Sequence, residues 1–139
     1  MREILFRGKR LDIGGWVEGG IYHNSEDNIV FIIKDTGLGY HKFIEVEPET
    51  VGQFTGLTDK NGKKIFEGDI VAQNWYDFNE PADDSFGEVV FFGVDCSFSV
   101  LDLNKNEVMS MGRGYSYSYE VEVIGNIHDN PELLTGETE

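Results

Sequence analysis

The sequence predicts a mainly β fold of short antiparallel strands with little helix. Three observations favour this fold class. Apolar and β-branched residues occur in short runs that suit strands, whereas almost no stretch has the apolar spacing of a helix. Turn residues separate these runs along the chain. Glycine is also frequent, with 17 residues in a chain of 139, which suits a protein with many turns.

The apolar runs place the strands one by one. Val89–Phe92 is apolar at every position, which indicates a central strand covered on both faces. Residues 96–100 alternate between apolar and polar, so Cys96 is expected to be a buried apolar residue. The predicted strands are, in order, Glu3–Phe6, Gly15–Tyr22, Asn28–Ile33, Lys42–Val46, Thr50–Phe54, Asp69–Trp75, Gly87–Val94, Ser97–Asp102, Glu107–Met111 and Tyr115–Ile124.

The stretch TDKNGKKIFEGD, residues 58–69, is rich in oxygen ligands and invites comparison with a calcium-binding loop. With Gly62 at the glycine position of such a loop, the two end positions fall on Leu57 and Gly68, which have no side-chain oxygen. Asn-Gly is instead the strongest short signal for a two-residue type I′ hairpin turn, in which both residues have positive φ. The predicted cross-strand pairs are Lys60–Lys63, Asp59–Lys64, Thr58–Ile65 and Leu57–Phe66.

The length predicts one domain, residues 1–139, that is large enough to bury its own core. Two sub-regions are expected within it, an N-terminal β segment over residues 1–54 and a small β-barrel over residues 55–134. The segment IHDNPELL is expected to form one helical turn, with Asn130 as its cap and Pro131 at the first helical position. Residues 135–139 are expected to be a frayed tail.

The chain is strongly acidic, and its charge is unevenly distributed. The formal net charge is −15, with nine acids and six bases in residues 1–50 against seventeen and five in residues 51–139. Such a field repels nucleic-acid phosphates and anionic membranes, so neither is expected as a direct partner. A protein partner with a basic surface is compatible with it. An acidic surface also keeps a protein soluble without any partner.

Cysteine usage and the lengths of the apolar runs indicate the compartment. Cys96 is the only cysteine, so no disulfide can form within the chain and a reducing compartment is expected. The N-terminal residues lack an apolar stretch of signal-peptide length, and no apolar run approaches the roughly 20 residues of a membrane-spanning helix. We therefore expect a soluble cytoplasmic protein.

No arrangement of residues in the sequence predicts a catalytic centre. His23, His41 and His128 lie far apart, and the HxxE spacing of His23 and Glu26 falls in a predicted turn rather than on a helix. No serine has a GxSxG context, and the glycine-rich GGWVEGG lacks the lysine of a phosphate-binding loop. We therefore expect no enzymatic activity, no metal and no cofactor. A metal-dependent hydrolase built from the scattered histidines and acids is the distant alternative.

Two stretches are candidates for contact with a partner protein. Residues 77–88, DFNEPADDSFGE, contain five acids and no base, which is typical of a solvated loop and would also suit an acidic docking surface. In GRGYSYSYEVEVIG, three tyrosines share a strand face with Val121 and Val123, which favours a core strand or an oligomer interface over base stacking. The candidate partner-binding residues are Asp77, Glu80, Asp83, Asp84, Tyr115, Tyr117 and Tyr119.

Three blocks of the sequence are distinctive: REILFRGKR followed by GWVEGG, then PETVGQFTGLTDKNGKKIFEGDIV, and finally EVEVIGNIHDNPELL. In all three the chain resembles the YopX proteins of phages and prophages in Gram-positive bacteria. The resemblance implies a phage-encoded, mainly β protein in a bacterial host cell, with no established activity and no catalytic residues to carry over. The step GDIV into a strand, followed by GEVVFF, is also similar to SH3-like small barrels.

From the residues and the resemblance together we expect a phage or prophage accessory protein that acts as a binding or structural module. Its partner is expected to be a protein with a basic surface, and a homo-oligomer is left open. The alternative is an acidic DNA mimic or an inhibitor of a host protein.

The charge generates the first testable prediction. Because the net charge is −15, the protein should show no measurable affinity for duplex DNA at physiological salt. Fluorescence anisotropy with a labelled duplex measures this directly, with a basic DNA-binding protein as the positive control. Saturable binding that weakens as salt rises would contradict the prediction.

Overall fold

The computed structural model describes residues 3–77, 80–92, 97–102, 107–110 and 118–135. The chain forms two compact units, Met1–Gly56 and Leu57–Glu139. Its elements are, in chain order, β1 (Phe6–Lys9), β2 (Trp16–Asn24), β3 (Ile29–Asp35), β4 (His41–Val46), a 3-10 turn (Pro48–Thr50), β5 (Gly52–Thr58), β6 (Lys64–Phe66), β7 (Asp69–Asp77), β8 (Glu80–Phe92), β9 (Ser97–Asp102), β10 (Glu107–Ser110), β11 (Ser118–Asn126) and the short helix α1 (Glu132–Thr135). The expectation of a mainly β, antiparallel fold with little helix is confirmed.

The first unit is an antiparallel sheet with the strand order β4-β3-β2-β1-β5. Side chains alternate between the two faces of each strand, so every second residue points to the inner face. Val17 of β2, Val30 and Ile32 of β3 and Val46 of β4 meet there and form the core of this unit. The other face of the sheet carries the remaining alternate residues.

The sheet of the first unit curves until β1 and β4 meet. Arg10 forms an antiparallel bridge with Val46, and the Leu11 N–H donates to the Glu45 carbonyl at 3.2 Å. The close approach requires a glycine at position 8, because a Cβ there would lie 2.7 Å from Val46 Cγ2. The sequence predicts the first strand at Glu3–Phe6. In the structure this strand lies at Phe6–Lys9, next to the residues that contact β4.

The strands β7 to β11 of the second unit form a five-stranded sheet in the order β10-β9-β8-β7-β11. Among the described residues this sheet is open, where the sequence led us to expect a closed small barrel. β8 is central, as expected, but Phe91 is 52% exposed, so the strand is not covered on both faces. The core of this unit consists of Ile65, Val71, Val89, Val100 and Val121, with Val123 packed against it.

The interpretation of residues 77–88 as a loop is wrong for residues 77 and 80–88, which the structure describes as strand. β7 continues to Asp77 and β8 begins at Glu80, and these two residues are directly opposite each other in the antiparallel register. Asp and Glu have low strand propensity, but strand pairing depends on context more than on intrinsic preference. The long ladder between β7 and β8 supplies that context and draws the acidic segment into the sheet.

The predicted type I′ turn at Asn61-Gly62 is also wrong. Gly62 has a φ of 84°, whereas Asn61 does not have a positive φ. The Asp59 N–H donates to the Lys63 carbonyl at 2.7 Å, and the Gly62 N–H donates to the Asp59 carbonyl at 3.0 Å. The loop therefore has three residues, 60–62, with a left-handed glycine in third place, and the pairing shifts by one residue.

The predicted helical turn near the C-terminus is confirmed as α1. The Leu133 N–H donates to the Asn130 carbonyl at 3.1 Å, which starts the turn. The side chain of Asn130 points back, and its Oδ1 accepts from the Asn126 N–H at 3.3 Å. The predicted frayed tail lies outside the described residues except for Thr135. Within the described ranges, no helix is long and apolar enough to cross a membrane.

The hairpin geometry generates a stability prediction. Gly62→Val should lower the free energy of unfolding by about 1–2 kcal/mol, because a β-branched residue resists the left-handed conformation. Gly62→Asn is the matched control and should cost less, since asparagine tolerates positive φ. Urea unfolding of both variants gives the comparison. Equal losses for the two variants would show that the φ of 84° at position 62 is not the constraint.

Candidate functional site

The loop between β5 and β6 contains a buried carboxylate, that of Asp59, which is 7% exposed. Its Oδ1 accepts hydrogen bonds from the N–H groups of Asn61 and Lys63, each at 2.9 Å. Its Oδ2 accepts from the N–H of Val123 in β11 at 3.0 Å. Both oxygens are therefore directed at backbone donors, which supports the interpretation of this stretch as a turn rather than a calcium loop.

The same contacts fix the charge of Asp59. Burial by itself would raise the pKa of this carboxyl group, but three backbone N–H donors and the nearby Lys63 outweigh it. The pKa of Asp59 is therefore lowered, and the group is ionised at neutral pH. Its role is structural, because it joins the hairpin loop to a strand that lies 64 residues further along the chain.

A second buried acid, Asp69, lies at the start of β7 and is almost completely inaccessible to solvent. Its Oδ2 accepts a hydrogen bond from the Phe66 N–H at 2.8 Å, across the turn that joins β6 to β7. The turn is held further by the Gly68 N–H, which donates to the Val89 carbonyl at 2.9 Å. Asp69 thus also stabilises a backbone turn.

The described part of the chain contains no group of three or more His, Cys, Asp or Glu residues close enough together to hold a metal ion. His23 Nε2 lies 3.1 Å from the side-chain oxygen of Asn28, across the turn between β2 and β3. His41 lies at the start of β4, and His128 lies in the turn after β11. The structure does not bring the three histidines together with one another in a ligand group.

The exposed face of the first sheet carries a row of aromatic side chains. Tyr22 of β2 is directly opposite Phe31 of β3, and the two ring centroids are 6.5 Å apart. Phe43 of β4 meets Phe31 edge to face, with ring centroids 6.3 Å apart. We call Tyr22, Phe31 and Phe43 the aromatic face. Its three rings lie on three neighbouring strands, so the sheet itself holds their spacing.

The aromatic face is accessible to solvent even though its members are large and apolar. Tyr22 is 52% exposed and Phe43 is 60% exposed, while Phe31 between them is half-buried. Further along the same side of the sheet, the guanidinium carbon of Arg7 lies 4.7 Å from the centroid of the Trp16 ring. Contiguous exposed aromatic surface of this kind is typical of protein interaction sites.

The predicted partner-binding residues lie elsewhere in the chain. The backbone of Asp77 ends β7, while Glu80, Asp83 and Asp84 lie on β8, so the hairpin places all four acids on two paired strands. Tyr119 lies on β11 opposite Trp75. Tyr115 and Tyr117 lie outside the described residues, as does Cys96.

The predicted face of β11 is confirmed for its valines. Val121 is buried in the core of the second unit, and Val123 packs against that core. The tyrosine tract therefore leads into a core strand. Whether its tyrosines also form an oligomer interface stays a prediction.

Sequence reasoning missed the aromatic face. Its three rings come from separate strands, and each stands in an unremarkable local pattern. Phe31 lies within the apolar run Ile29–Ile33, which by itself indicates burial on both faces. A signal was present in the alternation of β2, where Tyr22 falls on the side opposite to Val17.

Comparison with known proteins places these features in context. The model of the family described as "YopX protein" matches residues 6–135. The solved structure of protein EF1440 from Enterococcus faecalis is 28% identical and has a TM-score of 0.54, covering 96% of this chain and 99% of that one. The structure of protein yopX from Bacillus subtilis is 19% identical with a TM-score of 0.57 and the same coverage. No curated protein matches the chain.

Asp59 generates a prediction on pH dependence. A carboxyl group whose pKa is lowered by folding stabilises the fold above its unfolded pKa of about 3.9, and this stabilisation is lost as the pH falls through the folded value. Asp59→Asn should therefore lower the free energy of unfolding by about 1–3 kcal/mol at neutral pH, because the NH2 group that replaces one carboxylate oxygen cannot accept a backbone hydrogen bond. The difference from the wild type should shrink as the pH is lowered below the unfolded pKa of the carboxyl group.

The matched control for this prediction is Asp12→Asn. Hydrogen bonds from Arg10 and from the Ile13 N–H lower the pKa of Asp12 to about 2, but the group is exposed. Its replacement should therefore change stability little. Urea unfolding of the three proteins across pH tests this. A difference between wild type and Asp59→Asn that is independent of pH would show that the charge of Asp59 is not involved.

Proposed function

Because the chain belongs to the YopX family, which offers no catalytic machinery to carry over, we propose that it is a phage or prophage accessory protein that binds another protein rather than catalysing a reaction. The observation that carries the proposal is the aromatic face of the first unit. We place its action in the cytoplasm of the bacterial host.

The aromatic face supplies the free energy for such binding. Burying a fully exposed aromatic or aliphatic side chain contributes about 1.5–3 kcal/mol, so the remaining exposed part of Phe43 corresponds to about 1–2 kcal/mol. Tyr22 adds a similar apolar contribution, and its hydroxyl group can form a hydrogen bond at the rim of the contact. Strand pairing fixes the backbone under both rings, and their contacts with Phe31 restrict the rings, which reduces the conformational entropy lost when a partner arrives.

The charge distribution supports a basic partner. Residues 1–50 have a net charge of −3, whereas residues 51–139 have a net charge of −12. The larger negative field attracts a positively charged protein and accelerates its association, while it repels a second highly acidic molecule. Association driven in part by this field weakens as salt rises.

A second candidate is that the acidic hairpin of β7 and β8 makes the contact, as in a DNA mimic or an inhibitor of a host protein. Asp77 and Glu80 are directly opposite each other in the register. Acids at opposite positions concentrate negative charge on the hairpin, which favours a basic partner. The two candidates differ in the force involved, since the aromatic face depends on apolar burial and the hairpin on charge.

Capture from host lysate by tagged protein distinguishes the two candidates. The double variant Tyr22→Ser/Phe43→Ser should lose a specific partner, because it removes both exposed rings of the aromatic face. Phe91→Ser is the matched control, since Phe91 is similarly exposed at 52% but belongs to the second unit. It should retain the partner. Circular dichroism and thermal unfolding establish that each variant is folded.

The acidic candidate has its own variant, in which Asp77, Asp83 and Asp84 are changed to Asn and Glu80 to Gln. Loss of the partner in this variant alone would show that the acidic hairpin, and not the aromatic face, makes the contact. Retention of the partner by both the double aromatic variant and the acid variant would overturn the proposal for both surfaces.

A further inference from the structure

β4 is an edge strand whose second side is only partly occupied. It pairs with β3 on one side, and the Glu45 carbonyl accepts from Leu11 on the other. Backbone N–H and C=O groups point to opposite sides at successive residues of a strand. Phe43 and His41 therefore direct their N–H and C=O groups to the same side as Glu45, away from β3.

The chain that begins to cover this side turns away after Leu11. Arg10 Nε and Nη2 donate to the two carboxylate oxygens of Asp12 at 2.9 and 2.8 Å, and the Ile13 N–H donates to Asp12 Oδ1 at 2.7 Å. Continued in register from Leu11, this segment would bring Ile13 opposite Phe43. The turn leaves that position open.

A groove of about 430 Å³ lies at this place, between the turn and β4. Leu11 and Phe43 are among its lining residues, and both are exposed. Among the described residues, nothing pairs with the outward backbone groups of Phe43 and His41, so the groove combines free strand-edge groups with apolar side chains beside them. These are the two components that an added β-strand uses, the first for affinity and the second for specificity.

Two lysines add a charge preference, although Asp12 and Glu45 also line the groove. Asp12 is already paired with Arg10, and Glu45 lies on the opposite face of β4 from Lys42. Lys34 of β3 and Lys42 of β4 are directly opposite each other, and Lys42 lines the groove. Both are exposed, and neither has an ion-pair partner within the described part of the chain. Like charges at opposite positions destabilise a strand pair, so a carboxylate brought beside them would be favourable.

We propose that the free edge of β4 binds an extended segment of a partner protein as an added antiparallel strand. An apolar residue of that segment lies opposite Phe43 and packs beside Leu11, and the adjacent acidic residue lies opposite Lys42. The inference rests on the proposed function only in treating the protein as a binding module. It assigns a second contact that shares Phe43 with the aromatic face and adds backbone pairing and a charge preference of its own.

A second copy of this chain fits the edge poorly. A two-fold pairing of β4 centred on Phe43 would place His41 of the second copy opposite Glu45, where Leu11 already lies. Centred on Lys42, the pairing would set two Lys42 side chains opposite each other. In many proteins, lysines on an edge strand prevent edge-to-edge aggregation. Both alternatives give distinct outcomes in the experiment below.

The experiment titrates the full-length, isotope-labelled protein with blocked seven-residue peptides and follows the backbone amide signals by NMR. The first peptide has glutamate at its centre between two valines, with threonines outside them. The second has lysine in place of glutamate. The third keeps the glutamate but is N-methylated at both valines, which removes their backbone donors. The protein variants are Lys42→Ser and, as a matched control in the other unit, Lys64→Ser.

The glutamate peptide should shift the amide signals of Phe43 and His41 and bind about fivefold tighter than the lysine peptide, as expected for one cross-strand ion pair. Lys42→Ser should reduce this preference to within about twofold, whereas Lys64→Ser should leave it unchanged. The N-methylated peptide should not bind.

Three results would overturn the proposal. Equal binding of the glutamate and lysine peptides would remove the charge preference. Concentration-dependent dimerisation of the protein alone, with shifts at the same amides, would assign the edge to a second copy. If Lys42→Ser self-associates but keeps its preference for the glutamate peptide, the role of Lys42 is to prevent aggregation of the edge strand. No host partner is present in the titration, so its failure and the failure of the aromatic face in lysate capture are distinguishable.

Discussion

The buried carboxylate of Asp59 is the constraint on which the second unit depends. A buried charge is costly unless it is fully hydrogen-bonded, and here three backbone N–H groups fulfil that condition. Two of the donors belong to the hairpin loop and the third to β11, so one side chain sets the shape of the loop and joins it to the last strand. A second hydrogen bond joins the loop to β11, because the Lys60 N–H donates to the Val121 carbonyl at 3.0 Å. This double attachment holds Ile65 and Val121 at the same core, although they are far apart in sequence.

The first unit depends on a different constraint, the alternation of inner and outer residues along the strands of its curved sheet. β-Branched side chains fill the inner face, and Gly8 lets β1 and β4 approach each other. The aromatic rings of Tyr22, Phe31 and Phe43 take the outer face instead. Exposed apolar atoms are common on protein surfaces, but three rings in contact across neighbouring strands form a patch rather than scattered single residues. That distinction, more than the amount of apolar surface, is the argument for a binding function.

The parts of the fold that depend on local patterns could be predicted from the sequence, whereas those that depend on pairing partners could not. Strand β9 was placed at its observed bounds, Ser97–Asp102, because its residues alternate and turn residues flank it. The loop at Asn61-Gly62 differs in type from the prediction because the Asp59 side chain, which also binds the distant Val123 N–H, accepts from the N–H groups of Asn61 and Lys63. The acidic segment of β8 was misjudged for the same reason, since its partner strand and not its composition determines its structure. The aromatic face was missed because it exists only once three strands are aligned in register.

Two pairs of residues with like charge lie opposite each other in the strand register, and both bear on the proposed partners. Asp77 faces Glu80 at the end of one hairpin, and Lys34 faces Lys42 at the edge of the other sheet. Like charges at directly opposite positions disfavour strand pairing, and nothing in the geometry of an antiparallel ladder requires either pair. A fold can tolerate such local costs where the groups face water, and a counter-charge from outside turns each cost into a gain on binding. Because the two pairs have opposite signs, we propose two different complements, a basic surface for the hairpin and an acidic residue for the β4 edge. Local charge near a contact thus specifies its partner more sharply than the net charge of −15, which governs only the long-range approach.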